Sequence, residues 1–497
     1  MVVSSQFNYN IPVRSYSILK VKKPVKSRLV AFRKRLFINI IKEVKFMQLD
    51  MTKGNPTKLL IRFMFPIIIG NVFQQLYNMV DAIIVGRFVG VKALAAVGAT
   101  GTIMFLILGF MMGITTGFTV ITAQRYGAGD EKAMKKSIGN AFTLSVVATI
   151  IMTFISVVSM DGLLKLMNTP EDIFLMAKEY IVIICGGMGC LVLYNLMASI
   201  LRAVGNSKVP LYFLIVASVV NIVLDLVFII NFNLGVAGAA YATILSQGLS
   251  GVLCVLYVIR YVPILHISRE DFIPDWFCIR NQLKIGIPMA LQFSITAIGT
   301  ILVQASLNLL GSVVVAAFTV ANKISELVTQ PFNAMGMTMA TYGAQNKGIN
   351  DFERMKMGVR SANVMSAIYS VLIYFITIPA IPAMAHLFVS GDITNIIGDV
   401  RIYLMVCGLF YIPLGMIFIY RNILQGAGFS FAPMMGGVVE LFCRAIIAYI
   451  AAKSLSYFGV CMANVAAWAI TGIYLMISYL FIMKRLCYKE CAHISAQ

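Results

Sequence analysis

Residues 64–86 read MFPIIIGNVFQQLYNMVDAIIVG, a mostly apolar run with amides and one carboxylate in its second half. A helix needs about 20 mostly apolar residues to cross a bilayer, so this run predicts a membrane-spanning helix. The 497-residue chain as a whole agrees, because 60% of its residues are hydrophobic and only 12% are charged. Soluble domains carry about 25% charged residues. The sequence therefore predicts an integral membrane protein.

Eleven further apolar windows of similar length follow along the chain. They lie near residues 94–122, 138–160, 180–201, 210–231, 237–259, 285–310, 314–341, 362–386, 402–420, 432–452 and 459–483, and we number all twelve as spans one to twelve. From residue 51 onward, 21 Lys and Arg lie on the side of the N terminus, six lie on the opposite side and two lie inside spans. Because Lys and Arg accumulate in cytoplasmic loops, both termini are predicted to be cytoplasmic. The net charge of +20 is thus a topology signal, and no nucleic-acid partner is expected.

The first half of the chain is repeated in the second half. Ala123-Gln124-x-x-Gly127 recurs as Ala344-Gln345-x-x-Gly348 after 221 residues, and Pro210 recurs as Pro433 after 223. Each half contains six spans, so both halves enter the membrane in the same direction, as in secondary transporters with parallel repeats. The predicted fold class is an all-α polytopic membrane protein with two six-helix lobes related by a parallel tandem repeat.

The predicted domain boundaries follow from the spans and from the charged connections. They are an N-terminal extension at 1–50, an N-lobe at 51–262, a cytoplasmic linker at 263–284, a C-lobe at 285–485 and a tail at 486–497.

The basic N-terminal extension has two interpretations. Residues 29–47 have the pattern of a basic amphipathic helix, which would lie on an anionic membrane surface. Alternatively, Met51 is the true start and the residues before it are dispensable, because Met51 opens a polar stretch directly ahead of span one. We favour the second interpretation.

Ionisable groups inside spans are energetically costly and therefore mark candidate functional sites. In span one, Asn78 and Asp81 are three residues apart and share a helix face, with Gln74 one turn earlier. In span five, Asn221 and Asp225 are four residues apart and again share a face. Carboxylate and amide oxygens suit a proton or a small alkali cation. The alternative is a buried polar network that only locks helices together.

The second half carries a different set of polar residues. Span seven contains Gln292 but no acid, whereas Lys323 and Glu326 share a face of span eight. Glu440 and Arg444 share a face of span eleven. Acid–base pairs at these spacings can neutralise each other, so the first interpretation is structural. The second is that Glu326 or Glu440 contributes to a substrate wall.

Proline and glycine are predicted to shape the helices. Pro66 and Pro288 lie near the start of the first span of each half and are hinge candidates, because proline bends or unwinds a helix. Gly109, Gly113 and Gly117 form a doubled G-x-x-x-G pattern on span two, which favours close approach of another helix. No nucleotide-binding, metalloprotease, C-x-x-C or nucleophile-elbow motif is present, so neither enzymatic activity nor a cofactor is expected.

The stretch from Pro66 to Gly90, with Phe73-Gln74-Gln75-Leu76-Tyr77-Asn78-Met79-Val80-Asp81 and Val85-Gly86-Arg87, resembles the first helix of MATE (multidrug and toxic compound extrusion) transporters. Leu201-Arg202-Ala203-x-Gly205-Asn206 after span four is also similar to that family. The resemblance covers roughly residues 51–485. It implies a V-shaped pair of six-helix lobes that alternates access and expels cationic, amphiphilic compounds against an inward Na⁺ or H⁺ gradient.

The resemblance also implies which residues couple transport to the ion gradient. The NorM-like branch has acids in spans seven and ten, which this chain lacks at the expected places. The DinF-like branch has its cation network in the N-lobe, and the residues that match that network are Asp81, Asn195, Asn221, Asp225 and Thr243. Asp81 is then the main coupling carboxylate, and Na⁺ would bind transiently at Asp81, Asn221, Asp225 and Thr243, with no resident metal.

These observations predict a bacterial inner-membrane antiporter that works as a monomer, coupled to H⁺ or Na⁺. Its small-molecule substrates are amphiphilic and often cationic, and the candidate residues of the substrate cavity are Gln74, Gln75, Asn78, Gln292, Glu326, Glu440 and Arg444. A lipid-linked oligosaccharide flippase is the first alternative, but it would need more cationic residues in its cavity than Lys323 and Arg444. A membrane enzyme lacks its catalytic constellation, and the two-lobe plan disfavours a channel.

Overall fold

Helices form all the regular secondary structure of the described residues, because a chain in lipid must satisfy its backbone N–H and C=O groups internally. The computed structural model describes residues 48–167, 169–386 and 394–494. The α-helices are Pro56–Ile84, Val91–Gly127, Glu131–Leu166, Glu171–Gly186, Met188–Ala203, Lys208–Leu226, Gly235–Tyr261, Trp276–Asn308, Ser312–Gly348, Phe352–His386, Thr394–Leu409, Tyr411–Gly426, Phe431–Ser454 and Tyr457–Ile494. Two π-helical turns, Val85–Val89 and Val227–Asn231, extend the helices of spans one and five.

These helices supply the twelve predicted spans. Within the described residues, nine continuous helices are long and apolar enough to cross a membrane. Two helix pairs that are bent by 48° and 52° form spans four and ten and raise the number to eleven. The remaining helix, Ser312–Gly348, is 37 residues long and is more polar than the others, which accounts for its falling outside that set. It is span eight.

The bends in spans four and ten were not predicted, since each span was expected to be one helix. Span four breaks at Gly187 and span ten breaks at Phe410. These two positions are 223 residues apart, the offset that separates Pro210 from Pro433. The two bends are therefore a property of the repeated half.

Spans one and seven each divide their packing between the two lobes. Leu60 and Phe63 in the first part of span one belong to a hydrophobic cluster formed mostly by spans eight to twelve, whereas Ile84 joins a cluster within the N-lobe. Conversely, Ile285 in the first part of span seven packs with residues of span two, whereas Val303 packs in the C-lobe. The first parts of spans one and seven are thus exchanged between the lobes. Pro66 and Pro288 lie inside these exchanged parts.

The glycine pattern on span two serves this exchange. A Cβ atom added at Gly117 would lie 2.4 Å from the Cα atom of Gly286 on span seven, and one added at Gly113 would lie 2.7 Å from the Cα atom of Ala290. Real Cβ atoms do not approach so closely, so only glycine permits this spacing. At Gly109 the nearest atoms belong to Phe293 at 3.5 Å, an ordinary contact. The prediction of close helix packing is confirmed for Gly113 and Gly117, whereas Gly109 is not required by the spacing.

The repeated Ala-Gln-x-x-Gly segments meet at one end of the bundle. We name this the basic end, because most of the Lys and Arg residues outside the spans lie on this side. It is the end at which span one begins and span two ends. Gln124 Nε2 donates a hydrogen bond of 2.8 Å to the carbonyl of Gly426 at the end of span ten. Reciprocally, Gln345 Nε2 donates a hydrogen bond of 2.8 Å to the carbonyl of Ala203 at the end of span four. Each glutamine therefore holds a helix end of the opposite lobe.

The glycines of the same segments let the backbones touch. A Cβ atom at Gly127 would lie 2.1 Å from the carbonyl oxygen of Gln345, and one at Gly348 would lie 2.1 Å from that of Gln124. The repeat thus forms a symmetric pair of contacts that closes the two lobes against each other at the basic end.

The segment just before span one also bridges the lobes. Leu49 N donates a 3.0 Å hydrogen bond to the Gly205 carbonyl in the N-lobe. Met51 N donates to Gln345 Oε1 at 2.9 Å, and the Met51 carbonyl accepts from Arg354 Nε at 3.1 Å. Leu49 therefore contacts the helical bundle, although it falls in the extension that we expected to be dispensable. The expected amphipathic helix at 29–47 lies outside the described residues.

The connection between the lobes is shorter than the apolar windows indicate. The helix of span seven begins at Trp276, inside the predicted linker. Asp275 caps this helix by accepting hydrogen bonds from the backbone N–H groups of Cys278 and Phe277. These bonds, with the nearby Lys136 ammonium, hold the pKa of Asp275 below its usual value despite slight burial. The backbone N–H of Asp275 also donates to Asn140 Oδ1 at 3.2 Å, which fixes the linker to span three.

Candidate functional site: a buried carboxylate pair in the N-lobe

Spans one and five bring two aspartates together inside the N-lobe. Asp81 is 8% exposed, and Asp225 is fully buried, as is Asn221 one turn before it. The carboxyl groups of Asp81 and Asp225 are close enough to share a hydrogen bond when one of them is protonated. The helical spacing of Asn221 and Asp225 placed both side chains on the buried face, as predicted.

These polar atoms have no protein partners that would satisfy them. Asp81 Oδ1, both carboxylate oxygens of Asp225 and both polar side-chain atoms of Asn221 lack hydrogen bonds among the described residues. Buried polar groups in proteins almost always have a partner, so such a cluster marks a place for a proton, an ion or water. Carboxylate and amide oxygens are hard ligands, and this set fits a shared proton or a small alkali cation.

A π-helical turn follows each of the two aspartates. Val85–Val89 continues span one four residues after Asp81, and Val227–Asn231 continues span five two residues after Asp225. The two turns contact each other and both contact span six. π-helical turns are rare and occur frequently at functional sites. Both spans end in such a turn shortly after the residue that carries the carboxylate.

Thr243 and Asn195 were also predicted to belong to the cation network, and they differ in burial. Thr243 on span six is buried. Asn195 on span four is half-buried, and its Nδ2 donates to the Leu191 carbonyl of its own helix at 2.8 Å. This bond occupies the amide nitrogen, so only the side-chain oxygen of Asn195 could serve a cation.

Two tyrosines near the carboxylates were not predicted. Tyr77 on span one and Tyr180 on span four both lie close enough to Asp81 and Asp225 to interact electrostatically with them. Tyr77 also lies near the side chain of Gln247 on span six. Tyr77 precedes Asp81 by one helical turn, and this spacing could have identified it. Tyr180 could not have been identified, because its proximity depends on the packing of span four.

The other candidates on span one are not part of this buried cluster. Asn78 is exposed, and Gln74 and Gln75 are half-buried. Although Asn78 and Asp81 are three residues apart, Asn78 is accessible at the surface of the helices, whereas Asp81 is buried. Asn78 is thus placed differently from the carboxylate that it was predicted to accompany.

In the C-lobe, Glu326 and Gln292 have protein partners. Lys323 Nζ lies 2.9 Å from Glu326 Oε2 on the same helix, and these side chains are 52% and 39% exposed. The pair is local, as predicted. Gln292 is buried and accepts a 2.8 Å hydrogen bond from Gln425 Nε2, which ties span seven to span ten.

Glu440 lies between two arginines, only one of which was predicted. Arg444 Nη2 is 2.7 Å from Glu440 Oε1, and Arg421 Nη2 is 3.1 Å from Glu440 Oε2. The Arg421 side chain is 12% exposed and lies within the helix Tyr411–Gly426. The predicted span ended at residue 420, and Arg421 was counted with the connecting loop, so the size of this cluster was missed.

Comparisons with known proteins agree with this architecture. A family model described as MatE matches residues 66–227 and 288–450, one match in each half of the chain. The chain is similar to "Probable multidrug resistance protein YpnP" of Bacillus subtilis, with 36% identity over 62% of the chain and 68% of that protein. It is also similar to "Probable multidrug resistance protein NorM" of Thermotoga maritima, with 25% identity over 80% of the chain and 86% of that protein.

A solved structure has the same fold over most of its length. It is titled "Outward-facing conformation of a multidrug resistance MATE family transporter of the MOP superfamily", and the match has a TM-score of 0.83, with 24% identity over 88% of the chain and 98% of that protein. The two matches of the family model together cover more than half of the chain. The chain therefore belongs to the MATE family of multidrug efflux transporters, which are multi-pass membrane proteins with twelve spans in two lobes.

Proposed function

We propose that this protein is a secondary antiporter in which Asp81 couples export of a small molecule to entry of H⁺ or Na⁺. The observation that carries the proposal is the buried pair Asp81 and Asp225, three of whose four carboxylate oxygens have no hydrogen-bond donor in the part of the chain that the structure describes. Two carboxylates side by side in a low-dielectric site repel each other, so one of them must hold a proton or a cation. This bound charge is the exchangeable element that an antiporter needs.

Span one offers a physical route from this site to the other lobe. Its second part carries Asp81 in the N-lobe, while Leu60 and Phe63 in its first part pack in the C-lobe cluster. Loading or unloading Asp81 changes the packing that the second part prefers, and Pro66 gives the helix a point at which to bend. A bound ion can shift the balance of two conformations only through its different affinity for them.

The orientation in the membrane completes the proposal. With the basic end in the cytoplasm, the closed lobe contact of Gln124 and Gln345 seals the cytoplasmic side. Export then proceeds by rocking of the lobes in the bacterial plasma membrane, by a single chain. The relatives named as multidrug resistance proteins support drug-like substrates rather than lipid-linked oligosaccharides. Gln74, Gln75, Asn78, Gln292 and Glu326 remain candidates for the substrate cavity.

Dye efflux in vesicles tests this function. Inverted vesicles that contain the protein are given ethidium outside and an imposed H⁺ or Na⁺ gradient, so that export appears as uptake of the dye into the vesicle. The rate of this uptake is compared between the Asp81→Asn variant and the parent. The variant cannot exchange a proton or cation at this position, so we expect gradient-driven transport to be abolished while the protein remains folded and inserted.

The matched control is Asp161→Asn, which removes a half-exposed aspartate that pairs with Lys178. The control should transport as the parent does. Transport by Asp81→Asn at the parent rate, with the same dependence on the gradient, would refute the coupling role. No gradient-driven transport by the parent under either ion would refute the antiporter itself.

A further inference from the structure

The C-lobe contains a buried charge cluster with more positive than negative charge. It consists of Arg421, Glu440 and Arg444, whose side chains are 12%, 6% and 8% exposed. Arginine stays protonated in proteins, so with Glu440 ionised the cluster has two positive charges and one negative charge. No further acidic side chain is paired with either arginine in the described residues.

The arginines also have donors that the protein does not use. Arg421 Nε, Arg444 Nε and Arg444 Nη1 are buried and have no hydrogen-bond acceptor among the described residues. An uncompensated charge in a low-dielectric interior is destabilising unless a counter-charge and acceptors are supplied. Glu440 has one negative charge, which offsets only one of the two arginines that contact it. The cluster therefore lacks one negative charge.

The position of the cluster in the repeat gives an independent indication. Asn221 and Arg444 are 223 residues apart, as are Pro210 and Pro433 at the start of the same two spans. Arg444 thus occupies in the C-lobe the place that Asn221 occupies beside the carboxylate pair of the N-lobe. The two halves keep a buried polar centre at the same place, with opposite charge.

We propose that the Arg421–Glu440–Arg444 cluster binds an oxyanion, a carboxylate or phosphate group, carried by the exported compound. Arginine matches such groups well, because its N–H donors form strong charge-assisted hydrogen bonds with their oxygens. Gly299 of span seven lies directly against the Arg444 side chain, since an added Cβ atom would lie 3.3 Å from Arg444 Cδ and 3.3 Å from Arg444 Nη1. This inference rests on the proposed export function and names a substrate class for it, zwitterionic or anionic amphiphiles.

Binding to the purified full-length protein tests the inference. Carboxyfluorescein is the anionic probe and ethidium is the cationic probe, each followed by fluorescence anisotropy in neutral detergent. We expect the parent to bind carboxyfluorescein, and Arg444→Gln to weaken this binding at least tenfold while ethidium binding changes less than twofold. Arg444→Gln leaves Glu440 paired with Arg421, so the remaining cluster is neutral. Arg444→Lys, which keeps the charge but loses the planar donors, should restore part of the affinity.

Three further arms separate a binding role from a structural one. Arg421→Gln is a second variant, in which Glu440 and Arg444 remain as a neutral pair. It should also weaken carboxyfluorescein binding without a comparable change in ethidium binding. Lys178→Gln, which removes the half-exposed cation of the Asp161 pair, should bind both probes as the parent does. Benzoate and inorganic phosphate, compared with chloride at equal ionic strength, show whether the site prefers a carboxylate or a phosphate.

The inference is wrong if the parent does not bind carboxyfluorescein, or if both arginine variants bind it as tightly as the parent. It is also wrong if the two probes lose affinity together, because a structural role would affect them equally. These outcomes differ from a failure of the proposed function, which would abolish gradient-driven ethidium efflux by the parent.

Discussion

At the scale of single residues, Glu440 is important for the stability of the C-lobe because it forms ion pairs with two buried arginines. Among the residues that the structure describes, its carboxylate is the one group that compensates the guanidinium groups of Arg421 and Arg444. Removing one partner of a buried ion pair leaves an uncompensated charge, which costs about 3–5 kcal/mol. We therefore expect Glu440→Gln to lower the free energy of unfolding by this amount, measured by chemical denaturation in detergent.

Glu326→Gln is the matched control for this substitution. Glu326 also pairs with a cation on its own helix, but both side chains are partly exposed, and such pairs contribute only about 0–1 kcal/mol. If the two variants lose the same stability, the buried cluster does not hold the C-lobe together as its geometry indicates.

The sequence predicted part of these residue-scale features. Asp81, Asn221 and Asp225 could be identified because ionisable and amide groups are rare inside apolar spans and because helical spacing assigns them to a face. Arg421 could not, since a cation near a helix end is ordinarily an interfacial residue whose charge reaches water. Its burial depends on Glu440, which is on another helix.

At the scale of helices, span two packs closely on span seven because Gly113 and Gly117 have no side chains. We expect Gly117→Ala to push the two helices apart, because its new methyl group would lie 2.4 Å from the Gly286 Cα atom. Neither backbone can move aside cheaply, so both the melting temperature and gradient-driven efflux should fall. Gly109→Ala on the same face should resemble the parent, because its methyl group would meet Phe293 at 3.5 Å. Since alanine has the higher helix propensity, losses in the Gly117 variant alone point to contact distance, and equal losses in both variants would contradict that explanation.

Helix existence was predictable from hydropathy, but helix ends and bends were not. The apolar window of span seven begins at 285, whereas its helix begins at Trp276, because a helix continues beyond the apolar region when a cap such as Asp275 is present. The breaks at Gly187 and Phe410 share no residue type, so no local signal could reveal them. They follow from the packing of the repeated half.

At the scale of the whole molecule, the reciprocal hydrogen bonds of Gln124 and Gln345 favour closure of the basic end. A net hydrogen bond contributes about 1 kcal/mol, so losing one should shift the closed–open equilibrium about fivefold. A single cysteine at the buried position Val120, in a cysteine-free background, reports on opening through its rate of modification by maleimide. We expect this rate to rise with Gln124→Ala or Gln345→Ala and to rise further with both.

Gln304→Ala is the control for these variants, because Gln304 bonds only to Asn308 on its own helix. It should leave the modification rate unchanged. An unchanged rate in the double variant would show that the glycine contacts alone keep the basic end closed.

The repeat predicted the two-lobe plan, yet it could not predict the exchange of helix parts between lobes. Periodicity shows which face of span one is apolar, but it does not show whether that face packs in the hydrophobic core of the N-lobe or in that of the C-lobe. Leu60 and Ile84 both read as ordinary apolar residues of one helix, although they belong to cores of different lobes.

This exchange bears on how such a chain could arise by duplication. In a six-span ancestor with the same plan, the beginning of the first span would have had no core of its own to enter. Only a second copy could supply that core, so a six-span half of this design is complete only as a domain-swapped pair of identical chains. Fusion of two such copies into one chain would make that pairing permanent. Once both halves were encoded together, each buried polar centre was free to acquire a charge of its own.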